Sequence, residues 1–183
     1  MEPRPQVLAA STWKAIREAP IEVAVLPWGA TEAHNLHLPY GTDTLQVEQV
    51  AAEAARIASE GGARVVGLPA VPFGVNTGQL EVRLCLNMNP STQKLLLADL
   101  TDSVIRAGIC KLVILNGHGG NDFRQMIREL QPCTALFLCT VNWYSCVDPT
   151  PGARASRRLG VGASALDQCH RGYRGRRSPR GHG

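Results

Sequence analysis

Residues 112–121 read Leu-Val-Ile-Leu-Asn-Gly-His-Gly-Gly-Asn. Four consecutive large apolar residues, two of them β-branched, predict a short strand buried on both faces, spanning Ile109–Leu115 with its flanks. The glycines that follow permit tight turns and bring backbone N–H groups close to anything bound there. A strand that is apolar on both sides needs helices on both faces of its sheet, and the rest of the chain supplies that alternation. Ser11 is placed to cap a short helix through Ala19, ended by Pro20. Ile21–Leu26 is a second β-rich run, followed by a Gly/Asn/Pro/His loop over residues 28–42. Asp43 opens a long helix with Leu45, Val50, Ala54 and Ile57 as its apolar stripe, and Gly61-Gly62 ends it. Arg64–Leu68 reads as a strand and residues up to Pro90 as a long loop. Ser91 is expected to cap a helix running to Gly108. After Asn121 a further helix reaches about Leu130, and Thr134–Val141 reads as the last strand. The expected fold is α/β, a three-layer α/β/α domain with a mostly parallel sheet.

At 183 residues the chain has room for one such domain. No apolar run approaches the length of a membrane span, and the N-terminus shows no secretory signal. The six cysteines (Cys85, Cys110, Cys133, Cys139, Cys146 and Cys169) form no C-x-x-C pair, which fits a reducing cytoplasm. The net charge of +4 hides a division. Residues 1–148 carry a net −3, with 11 Lys and Arg against 14 Asp and Glu, whereas residues 149–183 carry 8 Arg against Asp167, a net +7. The main body therefore gives no hint of nucleic acid. Residues 149–183 have no sustained period and few large apolar residues. They are expected to be a disordered basic tail or sequence out of frame. As a natural tail they are a candidate for binding RNA or an acidic partner.

The residues that carry chemistry lie in two loops, after the first and third strands, where open parallel sheets place their ligands. The first loop holds Glu32, His34 and Asp43, and the second holds His118. Carboxylates with imidazole form a borderline-hard donor set suited to Zn²⁺, Mn²⁺ or Fe²⁺. Each piece also has a plainer reading. Asp43 with Gln46 resembles a capping box, and Asn116–Asn121 resembles a tight turn or an anion-binding glycine loop.

The stretch PWGATEAHNLHLPYGTD, residues 27–43, resembles the creatininase (creatinine amidohydrolase) signature, close to P-x-G-x-x-E-x-H-G-x-H-L-P-x-x-T-D. The segment LNGHGGN, residues 115–121, resembles the second signature of that family, and Val141-Asn142-Trp143 resembles a later strand end. The resemblance covers about residues 8–148. It implies a three-layer fold assembled as a homo-oligomer, usually a hexamer, with two divalent metals (Zn, Mn or Fe). Glu32 and His118 would serve one metal and His34 the other, with Asp43 bridging. His37, Asn116, Gly119 and Gly120 would face a small-molecule amide substrate. The implied reaction is hydrolysis of a non-peptide C–N amide bond, in a cyclic amide or a formamide, by a metal-activated water. Two departures stand out. Gly120 occupies the position where creatininase has a glutamate, and no later His-Ala-Gly-x-x-Glu-like segment follows. The domain over 1–148 thus reads as C-terminally incomplete, and a metal-binding relative with impaired catalysis is the alternative reading.

Overall fold

The computed structural model describes residues 6–147. The basic stretch 149–183, with Cys169, lies outside the described residues. Within 6–147 the elements run α1 (Trp13–Ile16), β1 (Val23–Trp28), α2 (Thr42–Glu60), β2 (Val65–Gly67), α3 (Pro90–Arg106), β3 (Lys111–Asn116), α4 (Arg124–Leu130) and β4 (Phe137–Asn142). The four strands form one sheet in the order β2-β1-β3-β4, with every pairing parallel.

Residues on one face of the sheet, Ala24, Leu26, Leu112, Ile114 and Leu138, pack with Leu97 and Val104 of α3 and Met126 of α4. Val25, Leu115 and Val141 point the other way and pack with Val47 and Ala51 of α2. Three layers follow, as the two-sided apolar strands require. Leu112 and Ile114 are fully buried, so truncating either to alanine is expected to cost about 2–5 kcal/mol.

The local differences from expectation have physical reasons. β1 ends at Trp28 rather than Leu26 and includes Pro27, which a strand usually excludes. The Pro27 carbonyl accepts the Val71 N–H at 3.0 Å on the side where β2 has already ended, so the missing N–H breaks no ladder. Thr12, not Ser11, caps α1, which stops at Ile16, ahead of the Ala19-Pro20 step that disfavours helical backbone. α3 begins at Pro90, whose fixed φ suits the first helical position, with Asn89 before it; Ser91 is inside the helix. On α2 the buried face is Thr42, Asp43, Val47, Ala51 and Ala55. The expected stripe is corrected: Leu45 and Ile57 are more than half exposed, Ala54 is exposed, and Val50 is partly buried.

Small residues face the sheet because α2 starts very close to it. A Cβ on Gly29 would lie 2.5 Å from the Thr44 hydroxyl, and one on Gly117 would lie 2.7 Å from the Val47 Cβ and 3.0 Å from the Asp43 carbonyl oxygen. These two glycines, at the ends of β1 and β3, let the first turn of α2 sit over the sheet and deliver Asp43 between them.

Candidate metal centre

The chain leaves β1 for α2 on one face and leaves β3 for α4 on the other. The carboxyl ends of β1 and β3, adjacent in the sheet, are therefore a topological switch point, the place where two diverging loops leave a crevice. Glu32 lies in the loop after β1, Asp43 in the first turn of α2, and His118 in the loop after β3. Their donor atoms lie within 4.8 Å of one another, and all three residues are buried.

Asp43 divides its carboxylate between two imidazoles. Its Oδ1 lies 2.9 Å from His34 Nε2 and its Oδ2 lies 2.9 Å from His118 Nδ1. Glu32 Oε1 is 3.2 Å from His118 Nδ1 and 3.7 Å from His34 Nε2. The helix-cap reading of Asp43 fails on geometry, because Gly41 occupies the cap and no side chain bonds there.

The far nitrogen of each ring meets a carbonyl, which can only accept. His118 Nε2 is 3.0 Å from the Val75 oxygen, and His34 Nδ1 is 3.2 Å from the Glu32 oxygen. Each ring thus faces acceptors on both sides, a carbonyl outside and an Asp43 oxygen inside, and a neutral ring has an N–H for only one of them. With the N–H on the outer nitrogens, the two inner lone pairs and the two carboxylates would converge as acceptors around a point suited to a cation. This donor chemistry fits a divalent metal. Burial lowers the His118 pKa, but hydrogen bonds with Asp43 and Val75 and the charges of Glu32 and Asp43 outweigh it, leaving it raised above 6.5.

A cavity of about 370 Å³ opens onto this cluster, lined by Glu32, Asp43, His118, Gly119 and Gly120 together with the long loop before α3. That loop is stapled to the end of β1, where Trp28 Nε1 donates to the Phe73 carbonyl at 2.8 Å and Thr31 Oγ1 to the Pro72 carbonyl at 2.7 Å. It brings Gln79 to the site, whose Nε2 donates to Glu32 Oε2 at 2.6 Å and so turns Oε1 toward the histidines.

The four residues expected to face a substrate separate into two groups. Gly119 and Gly120 line the cavity. Asn116 is fully buried with its amide engaged inside the protein: Oδ1 accepts from the His118 and Asn121 amides, and Nδ2 donates to the His118 carbonyl and to Asn142. His37 is exposed, on the turn of the first loop, and does not line the cavity.

Sequence reasoning did not single out Gln79, Asn121 or Tyr144. Asn121 is buried and ties the parts together. Its Nδ2 donates to the Gly29 carbonyl and Asn116 Oδ1, while its Oδ1 accepts from the Val75 N–H and from Gln93 Nε2. Its place in the Asn-Gly-His-Gly-Gly-Asn run was the available signal. Tyr144, after β4, has its phenol pKa pushed up by burial and by the charge of Asp43, which puts it within electrostatic reach of the centre. Nothing local in the sequence marks Gln79, 47 residues from its partner Glu32.

The creatininase profile, described as creatinine amidohydrolase, matches residues 9–168. The chain is 27% identical over 158 residues to the mycofactocin precursor peptide peptidase of Mycolicibacterium smegmatis, covering 82% of this chain and 60% of that protein. Among solved structures, a Bacteroides fragilis protein described as a creatinine amidohydrolase is 42% identical with a TM-score of 0.76, over 80% of this chain and 59% of that one. A manganese form of creatininase superposes with a TM-score of 0.63 at 23% identity, over 79% and 61% of the respective chains, and shows likeness of fold. The chain spans about 60% of the length of these relatives.

Proposed function

The chain belongs to the creatininase family, and from that premise we propose that it is a metal-dependent amidohydrolase cleaving a non-peptide C–N amide bond in a small molecule, a cyclic amide or a formamide. The observation that carries this reading is the convergence of Glu32, His34, Asp43 and His118 at the switch point. Glu32 and His118 would hold one divalent cation (Zn, Mn or Fe) and His34 a second, with Asp43 between them. The split of the Asp43 carboxylate between the two imidazoles supports that bridging role. When bound, such cations make water nucleophilic near neutral pH and polarise an amide carbonyl.

The chain's own residues prepare the site. With a cation bound, the Val75 and Glu32 carbonyls would accept the outer N–H of each ring and orient it, and Gln79 aims Glu32. Asn116 acts as a positioning residue, through the His118 backbone, and Gly119 and Gly120 leave the cavity floor open to substrate. His37, on the exposed turn, would meet a substrate only as it enters.

Two observations favour narrower alternatives. A Cβ on Gly120 would lie 2.2 Å from the Val75 oxygen and 2.5 Å from His118 Nε2, so this position offers no carboxylate to the second cation. A chain lacking that ligand would bind metal yet hydrolyse poorly. The relative named as a precursor peptide peptidase supports a peptide bond as the substrate instead. We also propose self-association, a hexamer by family, supported by the exposed Leu36, Leu80 and Leu84. No helix among the described residues is long and apolar enough to cross a membrane, and a cytoplasmic location is proposed. The RNA-binding alternative concerns residues 149–183, outside the described residues.

The test is metal content followed by turnover. Purified chain is expected to retain Zn, Mn or Fe, and Asp43→Ala or His34→Ala to lose it. Metal content unchanged by both substitutions refutes the site. In the metal-loaded chain, hydrolysis of cyclic amides or formamides supports the main reading, cleavage of short peptides alone supports the peptidase reading, and metal binding without either supports the impaired relative.

A further inference from the structure

Residues 80–84 read Leu-Glu-Val-Arg-Leu, and all five are exposed. They follow directly on Gln79, which lines the metal cavity. Leu80, Val82, Leu84 and Leu86 are open to solvent, Leu84 at 72% exposure and with a φ of +61° that leucine adopts at a cost. The first loop adds to the same surface. Tyr40 Oη donates to the Arg83 carbonyl at 2.8 Å, Thr31 and Leu86 form an antiparallel bridge, and Leu36 on the turn is fully exposed.

Contiguous exposed apolar residues mark an interaction surface, and the charges among them say with what. Glu81 and Arg83 are both exposed, and the ion pairs of the described residues are made by other side chains. In an isologous contact one patch meets itself, so that residue i faces j and j faces i. About a two-fold axis through Val82, Glu81 meets Arg83 of a second copy, Arg83 meets its Glu81, and Leu80 meets its Leu84. An axis through Glu81 or through Arg83 would set like charges together instead. The segment is therefore complementary to itself, in charge and in apolar surface, in one register. Stable interfaces take roughly 20–30 residues a side, so residues 77–86 alone fall short and the turn over 35–40 belongs to the contact as well.

We propose that this surface is the two-fold contact between copies of this chain, centred on Val82. It deepens the self-association proposed above by fixing the face and the register. It also reaches the metal centre, because Gln79, which holds Glu32, immediately precedes the paired segment. Pairing would steady Gln79 and so tighten metal binding. That consequence rests on the metal-dependent reading; the pairing itself does not.

The experiment is sedimentation velocity on the full chain stripped of metal. The wild type is expected to form dimers or a multiple of dimers. Glu81→Arg sets Arg against Arg83 twice across the axis, and Arg83→Glu sets Glu against Glu81 twice. Each is expected to weaken the contact about ten-fold and to halve the assembly. Combining both reversals in one chain restores both pairs, as does mixing the two single variants, and either is expected to bring back the wild-type mass. Misfolding would be repaired in neither way. A wild type that stays monomeric at about 100 µM overturns the proposal and leaves the face to a different protein. So does a mass unchanged by the single reversals, or a loss that the double variant does not repair. Zn²⁺ titration of the same variants reads the link to the metal centre: weaker binding in the single reversals and recovery in the double is expected, and unaltered affinity removes the link. A wild type that binds no Zn²⁺ refutes the metal site, while the masses still decide the contact.

Discussion

The arm after β3 buries His118 and Asn121 to 7% exposure each and engages their polar groups with protein partners, whereas the arm after β1 leaves Leu36 fully exposed and His34 at its edge. Both arms present imidazole to the same Asp43 carboxylate. The β3 arm does so from a closed network, in which Asn116, Asn121, Gln93 and Asn142 hold one another and the backbone around His118. The β1 arm is tied chiefly at its two ends, by Thr31 to the Pro72 carbonyl and from the Leu86 N–H, by Glu32 N–H to the Tyr40 carbonyl, by Gln79 on Glu32 and by Tyr40 Oη to the Arg83 carbonyl, with Leu36 and His37 exposed between them. The difference assigns different work to the two arms. On the function proposed above, the buried arm would be a fixed seat for a cation and the exposed arm an adjustable flank of the site.

The largest effect is expected where the closed network is cut. Asn121→Leu keeps the volume but strips partners from the Val75 N–H, the Gln93 amide and the Gly29 carbonyl. Unsatisfied buried groups cost roughly 1–3 kcal/mol each, so a loss of about 3 kcal/mol or more is expected, read by urea denaturation. A loss under about 1 kcal/mol would mean that the β3 arm is not held by this network, and the contrast between the arms would collapse.

A smaller effect, on affinity rather than folding, is expected in the β1 arm. Gln79→Leu frees Glu32 Oε2 and lets the carboxylate turn away from His118. Groups that orient a metal ligand typically contribute about 10-fold or more to affinity. Calorimetric titration with Zn²⁺ should show that weakening, while the unfolding free energy of the metal-free protein, read by urea denaturation, stays within about 0.5 kcal/mol of wild type. Equal weakening of both properties would make Gln79 a structural residue instead.

The same contrast explains what the sequence made legible. The β3 arm could be read because its information is local: an apolar strand, then glycines and a histidine within six residues. The expected β1, Ile21–Leu26, lies two residues ahead of the observed Val23–Trp28, because Pro27 argues against a strand until its neighbour on that side is known to have ended. The apolar face of α2 was misread because large residues normally face the core. Here Gly29 and Gly117 draw the helix so close to the sheet that Val47, Ala51 and Ala55 fit, and Leu45 and Ile57 are left outside. Glu32, His34, Asp43 and His118 were legible as candidates through two spaced motifs. What holds them was not, because Gln79 and the Val75 carbonyl reach the site through a long loop whose path is set by tertiary contacts with Trp28 and Thr31.

The smallest effect concerns the turn that carries His34. Asn35 has a φ of +57°, a left-handed conformation at the position where the creatininase signature has glycine, and its Oδ1 accepts the Leu36 N–H at 2.8 Å. Glycine adopts that backbone freely, asparagine tolerates it, and alanine resists it by roughly 1 kcal/mol. Asn35→Gly is therefore expected to hold stability within about 0.5 kcal/mol, and Asn35→Ala to lose about 1 kcal/mol, both read by urea denaturation. Because the strain falls on the residue beside His34, Asn35→Ala should also loosen the His34 side of the centre. A His34 ring resonance followed by NMR should broaden or shift, while that of His118 stays fixed. Movement of both rings together would show that the arms are mechanically coupled through Asp43, and that the adjustable flank extends into the seat.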